Sequence, residues 1–218
     1  MSTDCTKSGS YQHGGLGLYL RVCCNNLGQS VTIRGPVIPK SCPKGPQKST
    51  KGMDSNYISL SAHQEYTVIW RLHDGGGWTV FQRRQYGSAD FYRYWTDYED
   101  GFSDLTGEFW LEMSKIHRLT KEGSITLRVD LGDFEGNMKY ASYSTFNVSD
   151  GSTKYMLTVG GYSGTAGDGL ITDPNNGYNH NGMTFTTRDN DNDNGGVNCA
   201  VRYNGAWWFN SCFQSHLN

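Results

Sequence analysis

The chain has 218 residues, which is enough to bury a sizeable core, and its formal net charge is −2. Aromatic residues make up 13% of it and glycines number 28, a balance that favours a loop-rich domain over a helical bundle. Its basic excess lies in residues 1–52 and the remainder is acidic, so we predict no nucleic-acid partner, which would need a clustered basic face. No apolar run approaches the length of a membrane span.

The six cysteines are even in number, and none lies in a C-x-x-C motif of the zinc or redox type. The adjacent pair Cys23 and Cys24 is typical of disulfide-bonded secreted proteins. We therefore predict three disulfides and a secreted, extracellular location. The triplet that begins at Asn147 is a glycosylation acceptor pattern and fits that compartment. Because the N-terminus has no signal-peptide pattern, we expect the sequence to be a fragment of a longer protein.

Residues 1–52 are predicted to form a cysteine-containing N-terminal segment with a Pro/Lys linker, and residues 53–218 the main domain. One strand is expected near residues 14–22. Residues 36–52 combine four prolines with lysines and small residues, the composition of an extended linker. We favour a solvated linker over an anion-binding segment for this basic stretch.

Short runs rich in β-branched and aromatic residues, bounded by turn residues, predict the strands of the main domain. In chain order they cover residues 57–60, 66–72, 78–84, 124–131, 138–148 and 155–159. A glycine turn at residues 73–77 precedes the third strand. Residues 91–102 have no clean period and predict a loop or short helical turns.

The best predicted helix covers residues 106–122, since apolar residues recur there at three- and four-residue steps (Phe109, Met113, Ile116 and Leu119). Glu108 would lie in its first turn, and Gly123 would follow as a left-handed cap. Strands around one good helix indicate an α+β fold. Residues 160–183 are mostly small and polar, and so long an irregular stretch needs a function or a brace such as a metal ion.

Chemistry-bearing residues are concentrated between Phe185 and Phe213. Asp189, Asp191 and Asp193 alternate with asparagines, but the run is not an EF-hand loop, because its glycine comes one place late and Ala200 stands where a bidentate Glu is needed. Closely spaced carboxylates with backbone carbonyls still suit a hard cation, and a solvated acidic turn is the equally weighted alternative. Aromatic residues follow, which suit a ligand surface or simply the core.

An enzymatic reading is weak. Ser163 lies in a Gly-Tyr-Ser-Gly stretch that is similar to a nucleophile elbow but lacks its last glycine. Cys199 and Cys212 could be nucleophiles, although a structural role fits a secreted protein better. We therefore predict no catalytic residues.

Seven stretches together resemble the fibrinogen-related domain of fibrinogen chains, ficolins, tachylectins, tenascins and angiopoietins. They are GGGWTVFQRR (75–84), FYRYWTDYEDGF (91–102), GEFWLEMSKIHRLT (107–120), LRVDLGDFEGN (127–137), NGMTFTTRDNDND (181–193), NCA (198–200) and GAWWFNSC (205–212). The resemblance covers about two-thirds of the chain, in the order that the family has. It implies an extracellular α+β module with a twisted, mainly antiparallel sheet, one main helix and a long irregular C-terminal region that binds calcium.

The resemblance also implies roles for individual residues. Calcium would be held by the carboxylates of Asp191 and Asp193 and the carbonyls of Gly195 and Val197, with Asp189 not a direct ligand. Cys199 and Cys212 would form a disulfide, and a cis peptide would join Ser211 to Cys212. In lectin members this cis peptide aims backbone N–H groups at the acetyl group of a sugar. The ligand-binding residues would be Tyr203, Trp208, Ser211, Cys212 and Phe213.

Three departures from the family pattern bear on function. Phe213 stands where lectin members carry a histidine, Trp70 stands where the family has the second cysteine of an upstream disulfide, and the sequence ends at Asn218, before the family's last strands. Cys42 is left to pair with Cys5, Cys23 or Cys24. The domain is therefore expected to lack its C-terminal end.

The leading hypothesis is a calcium-dependent, lectin-like module that recognises acetylated carbohydrate, for example in innate immunity. The alternative is an extracellular module that binds a receptor or matrix protein through the same face. Oligomers, if formed, would use regions outside this chain.

Overall fold

The structure, a computed structural model, describes residues 16–21, 57–61, 64–67, 69–73 and 76–218, except for residues 122 and 172–176. The predicted linker at 36–52 and the centre of the predicted turn at 73–77 lie outside these ranges, as do Cys5, Cys23, Cys24 and Cys42 with their open pairings.

Nine strands and three short helices occupy the described ranges. The strands are β1 (Leu16–Arg21), β2 (Tyr57–Ser61), β3 (Gln64–Thr67), β4 (Ile69–His73), β5 (Gly76–Arg84), β6 (Phe109–Trp110), β7 (Thr126–Gly132), β8 (Met138–Val148) and β9 (Leu157–Gly164). The helices are α1 (Trp95–Asp100), α2 (Met113–Thr120) and α3 (Cys199–Arg202), with a 3₁₀ turn at Gly151–Thr153. None of these helices has the length and apolar character needed to cross a membrane.

Seven of the strands form one antiparallel sheet in the order β4-β5-β1-β7-β8-β9, with β6 paired to β5, and β2 pairs with β3 separately. β1 lies between β5 and β7, with Tyr19 in register with both Val80 and Arg128. A strand from before residue 53 therefore lies inside the main sheet, and the domain boundary at that residue stays a prediction. The predicted α+β class is confirmed.

The strongest strand predictions are confirmed, with shifted ends. β5, β7 and β8 cover the predicted runs at 78–84, 124–131 and 138–148. The last strand begins at Leu157 rather than Tyr155, since Lys154 and Tyr155 both take left-handed backbone angles (φ 57° and 52°). β9 then continues to Gly164, so the first part of the stretch predicted to be irregular is strand.

The predicted helix at 106–122 is wrong in its first part. Phe109 and Trp110 form a strand that pairs with Arg83 and Gln82 of β5, and the helix begins only at Met113. Both rings are buried in the core, so tertiary packing outweighs the helical spacing of the local sequence. Gly123 does take the predicted positive φ of 84°, two residues after the helical hydrogen bonding ends at Lys121.

Glu108, predicted in a helical first turn, instead holds together the loop that follows β5. Its carboxylate accepts hydrogen bonds from the backbone N–H groups of residues 85, 86, 87 and 89 and from the Ser88 hydroxyl. The side chain is buried (4% exposed). Burial opposes its ionisation, but the Ser88 hydroxyl and the backbone donors outweigh burial and lower its pKa to about 2.

An aromatic cluster forms the part of the core beneath the C-terminal region. Phe185 is fully buried, and its ring centroid lies 5.1 Å from those of Tyr98 and Trp208 and 5.7 Å from that of Trp110. Edge-on and tilted rings at these separations add to the free energy gained from burying their area. The cluster therefore joins α1 and β6 to the segments that carry the candidate site.

We predict that Glu108→Gln lowers the free energy of unfolding by about 3 kcal/mol at neutral pH, because an amide cannot accept all five donors. A carboxylate whose folded pKa is depressed stabilises the fold above its unfolded pKa. Its contribution should be lost as the pH falls from 4.5 toward 2. Urea denaturation at neutral and acidic pH measures both effects.

Glu135→Gln is the matched control, because the exposed Glu135 lies in the turn between β7 and β8. Its effect should stay below about 0.5 kcal/mol. Equal destabilisation by the two substitutions would contradict the role of Glu108.

Candidate functional site

The segment 187–206, which we call the display loop, leaves and re-enters the core at a single point. Thr186 N–H donates to the Trp207 carbonyl over 2.9 Å, and Trp207 N–H donates to the Thr186 carbonyl over 3.2 Å. The neighbouring rings of Phe185 and Trp208 are in contact and buried. Both ends of the loop are thus anchored in the aromatic core.

A disulfide and the side chain of Asn198 also hold the display loop in place. Cys199 and Cys212 form a disulfide with their Cα atoms 5.7 Å apart, the pairing that the resemblance implied. Asn198 caps α3 by accepting from Val201 N–H, and its amide donates to the Thr187 carbonyl over 3.0 Å. The disulfide also joins the display loop to the segment that follows Trp208.

The structure divides the three aspartates of the acidic run into two groups. Asp193 accepts hydrogen bonds from Gly195 N–H (2.7 Å) and Cys199 N–H (2.8 Å), and the exposed Asp191 accepts from Asp193 N–H (3.3 Å). Asp189 instead accepts from the Thr187 hydroxyl and from the N–H of Trp95, at the start of α1. Asp191 and Asp193 therefore lie together, and Asp189 serves the packing of α1.

Oxygen atoms converge around Gly195. A Cβ at this position would lie 2.9 Å from both the Asp193 Oδ1 and the Val197 carbonyl oxygen. Burial, together with the neighbouring Asp191 carboxylate, raises the pKa of Asp193 above its ordinary value. This donor set of carboxylate and carbonyl oxygens is of the kind that hard cations prefer.

Within the described ranges, no three His, Cys, Asp or Glu side chains are grouped closely enough to hold a metal ion. Any cation held near Gly195 must therefore draw on backbone carbonyls as well as on the two carboxylates.

Tyr203 and the segment 211–213, which includes the second cysteine of the disulfide, form a surface that we call the recognition surface. The Tyr203 and Phe213 rings meet edge to face with centroids 4.8 Å apart, and Tyr203 is 40% exposed. The peptide between Ser211 and Cys212 is cis, as the resemblance implied. Within the described ranges, the N–H groups of Cys212 and Phe213 have no acceptor.

Trp208 is not part of this surface. It is buried (1% exposed) in the aromatic core, and its indole N–H donates to the Tyr155 carbonyl over 2.7 Å. The structure thus places Trp208 in the core, and the aromatic rings that reach the surface here are those of the exposed Tyr203 and the half-buried Phe213.

Sequence reasoning missed His180, which connects three segments under the recognition surface. The ring is fully buried and lies 2.7 Å from the Trp208 carbonyl through Nδ1, while Nε2 lies 3.2 Å from the Gln214 nitrogen and 3.3 Å from the Ser215 nitrogen. Burial lowers its pKa to about 4. His180 lies in an irregular stretch with no spacing pattern, so no signal in the sequence sets it apart from the other histidines.

Two other predicted sites have a clear structural setting. The Asn147 amide lies half-buried in β8 and donates to the Thr120 carbonyl over 2.8 Å, so a glycan there requires that bond to break. Ser163 lies within β9, in register with Ser142, rather than at a strand-to-helix turn. The nucleophile elbow is therefore not formed.

The family model for the C-terminal globular domain of fibrinogen beta and gamma chains matches residues 38–218. The chain belongs to the fibrinogen C-terminal domain family. Among curated relatives, Fibrinogen C domain-containing protein 1-A of Xenopus laevis is 43% identical over 198 residues, which are 82% of this chain and 42% of the relative. The human Fibrinogen C domain-containing protein 1 is 51% identical over 150 residues, 66% of this chain and 31% of the relative. The chain spans less than half the length of these relatives.

Solved structures agree with this family. The fibrinogen-like globe domain of human ANGPTL2 is 37% identical with a TM-score of 0.67, covering 74% of this chain and 73% of the other. A lamprey fibrin D-dimer, in complex with the peptide ligand Gly-His-Arg-Pro-amide, is 38% identical with a TM-score of 0.67, covering 76% and 56%.

We predict that Gly195→Ala destabilises the protein by about 1–3 kcal/mol, because the added Cβ would press on Asp193 and on the Val197 carbonyl. Thermal denaturation with a calorimeter measures the loss. Gly196→Ala is the matched control, since a Cβ there meets no atom within 4 Å. Equal effects of the two neighbouring substitutions would show that the oxygens around Gly195 are not held in place.

Proposed function

We propose that this chain is an extracellular recognition module that binds a peptide segment of another protein at the recognition surface. The observation that carries the proposal is the contact between the exposed Tyr203 ring and the half-buried Phe213 ring, beside two N–H groups, those of Cys212 and Phe213, that have no acceptor within the described ranges. The family and the disulfide support an extracellular setting. We propose no catalytic role.

The chemistry of the surface suits a peptide. The two N–H groups can donate to a backbone carbonyl or carboxylate, and the ring pair offers an apolar plate for a side chain. Phe213 contributes no polar group of its own. The lamprey fibrin structure supports this proposal, because the protein in it, of the same fold, is complexed with a short peptide.

An acetylated sugar offers the same carbonyl acceptor, and it is the other candidate ligand. Its ring hydroxyls need polar partners, however, and Phe213 replaces a polar residue at the place nearest the N–H groups. We therefore favour the peptide and treat the sugar as an outcome of the test.

We further propose that a calcium ion braces the display loop, held by the carboxylates of Asp191 and Asp193 and the carbonyls of Gly195 and Val197. The convergence of oxygens at Gly195 supports this site. The ion would supply positive charge that neutralises the two carboxylates and orders the backbone between them. Its effect on recognition would be indirect, through the disulfide that joins Cys199 to Cys212.

We predict that the protein binds Gly-His-Arg-Pro-amide in isothermal titration calorimetry and that Phe213→Ala weakens the affinity about tenfold, since it removes half of the ring pair. Phe134→Ala is the control, because Phe134 is 87% exposed in the turn between β7 and β8. It should leave the affinity unchanged. An equal loss in both variants, or no binding by the unmodified protein, speaks against the proposed site.

Competition with N-acetylglucosamine separates the two ligands. We expect peptide binding to persist at millimolar sugar. Retention of the protein on an acetylated resin, with elution by the sugar and no affinity for the peptide, would make the lectin reading correct instead.

We predict that about 2 mM calcium raises the free energy of unfolding by about 1 kcal/mol, given an extracellular site with a dissociation constant of roughly 10⁻⁴–10⁻³ M. Asp191→Asn should abolish most of the gain, whereas Asp189→Asn should keep it. The measurement is the melting temperature with calcium and with a chelator. A gain that both variants retain would exclude the proposed ligands.

A further inference from the structure

His180 is a buried polar side chain whose hydrogen bonds all go to backbone groups. It has no exposed surface, its Nδ1 faces the Trp208 carbonyl, and its Nε2 faces the backbone nitrogens of Gln214 and Ser215. These groups belong to segments on either side of the cis peptide. The ring therefore spans the back of the recognition surface.

The partners leave only one protonation state for the ring. Because a carbonyl oxygen can only accept a hydrogen bond, Nδ1 must be protonated. Because a backbone N–H can only donate one, Nε2 must be unprotonated. The imidazole is therefore neutral with its proton on Nδ1. Burial acts in the same direction, since it lowers the pKa of His180 to about 4.

The groups that His180 holds follow Phe213 directly in the chain. With Gln214 and Ser215 bonded to the ring, and with the Ser215 hydroxyl donating to the Gly169 carbonyl over 2.7 Å, the backbone after Phe213 is fixed in direction. The Phe213 ring itself rests on Phe209 and His216, with centroids 5.8 and 5.3 Å away.

We propose that His180 is a positioning residue of the recognition surface, whose neutral imidazole fixes the backbone of Gln214 and Ser215 and thereby the placement of Phe213. The inference deepens the proposed function and rests on it for the binding consequence alone. The tautomer and the backbone hydrogen bonds are open to measurement without any ligand.

Two amide substitutions separate the halves of the imidazole. His180→Gln can place an acceptor near the position of Nε2, whereas His180→Asn reaches only as far as Nδ1 and leaves the two N–H groups without an acceptor. His117, which lies in α2, supplies the matched control, because its Nδ1 also lies 2.8 Å from a backbone carbonyl, that of Val148 in β8. His117→Asn should change neither readout below.

The first readout is amide hydrogen exchange, followed by nuclear magnetic resonance. In His180→Asn we expect exchange at Gln214 and Ser215 to speed up about tenfold, the effect of losing one hydrogen bond. His180→Gln should restore at least part of the protection. Unchanged exchange at both amides in His180→Asn would overturn the proposal.

The second readout is the affinity for Gly-His-Arg-Pro-amide. We expect His180→Asn to raise the dissociation constant about tenfold and His180→Gln about threefold or less, in the same order as the exchange rates. If the unmodified protein does not bind the peptide, the proposed function fails while the exchange result still decides the role of His180. Faster exchange with unchanged affinity would show that Phe213 does not depend on His180.

The unmodified protein provides a test that no folding defect can disturb. The nitrogen-15 shifts of the His180 ring should show the Nδ1-protonated neutral form at neutral pH. An Nε2-protonated ring, or an imidazolium, would overturn the assignment.

Discussion

The two-way hydrogen bonding between Thr186 and Trp207 is the constraint on which the candidate site depends. It closes the display loop at its base, and the buried rings of Phe185 and Trp208 beside it secure that base in the aromatic core. Burying such rings contributes several kcal/mol, whereas each backbone hydrogen bond adds about 1 kcal/mol. The loop can therefore be rich in Asp, Asn and Gly, residues that could not fold into a core by themselves.

The disulfide connects two parts of the region that have different chemistry. In the first part Asp193 accepts hydrogen bonds from the N–H groups of Gly195 and Cys199, and in the second the Tyr203 and Phe213 rings are in contact. His180, which is buried, supports the second part by binding the backbone of Gln214 and Ser215. The disulfide links Cys199, which follows the acidic turn, covalently to Cys212 in the recognition surface.

The elements that the sequence predicted best are strands whose residue types indicate which side chains are buried. β7 alternates polar and apolar residues from Thr126 to Leu131, and the structure has a strand at that run. β8 alternates only in parts, since Ser144 and Thr145 are both exposed, but it too lies at its predicted run. The prediction of a helix at 106–122 was wrong in its first part because Phe109 and Trp110 fit both the spacing of a helix and the composition of a buried strand. Pairing with β5, which the local sequence does not show, makes this part a strand.

The candidate site was predictable only in part, for the same reason. The residues of the disulfide and of the cis peptide came from the family resemblance, since no periodicity marks them. Trp208 was grouped with the ligand-binding residues because residue type alone does not distinguish a buried tryptophan from an exposed one. His180 acts through groups far away in the chain, at Trp208 and at residues 214 and 215, and local sequence carries no trace of such contacts.

Peptide binding at the recognition surface can be tested directly by a chemical-shift map of the nitrogen-15-labelled protein titrated with Gly-His-Arg-Pro-amide. We expect the largest changes on the amides of Tyr203, Cys212 and Phe213, with the turn between β7 and β8 unaffected. Saturable changes centred on another surface, with those three amides unmoved, would contradict it.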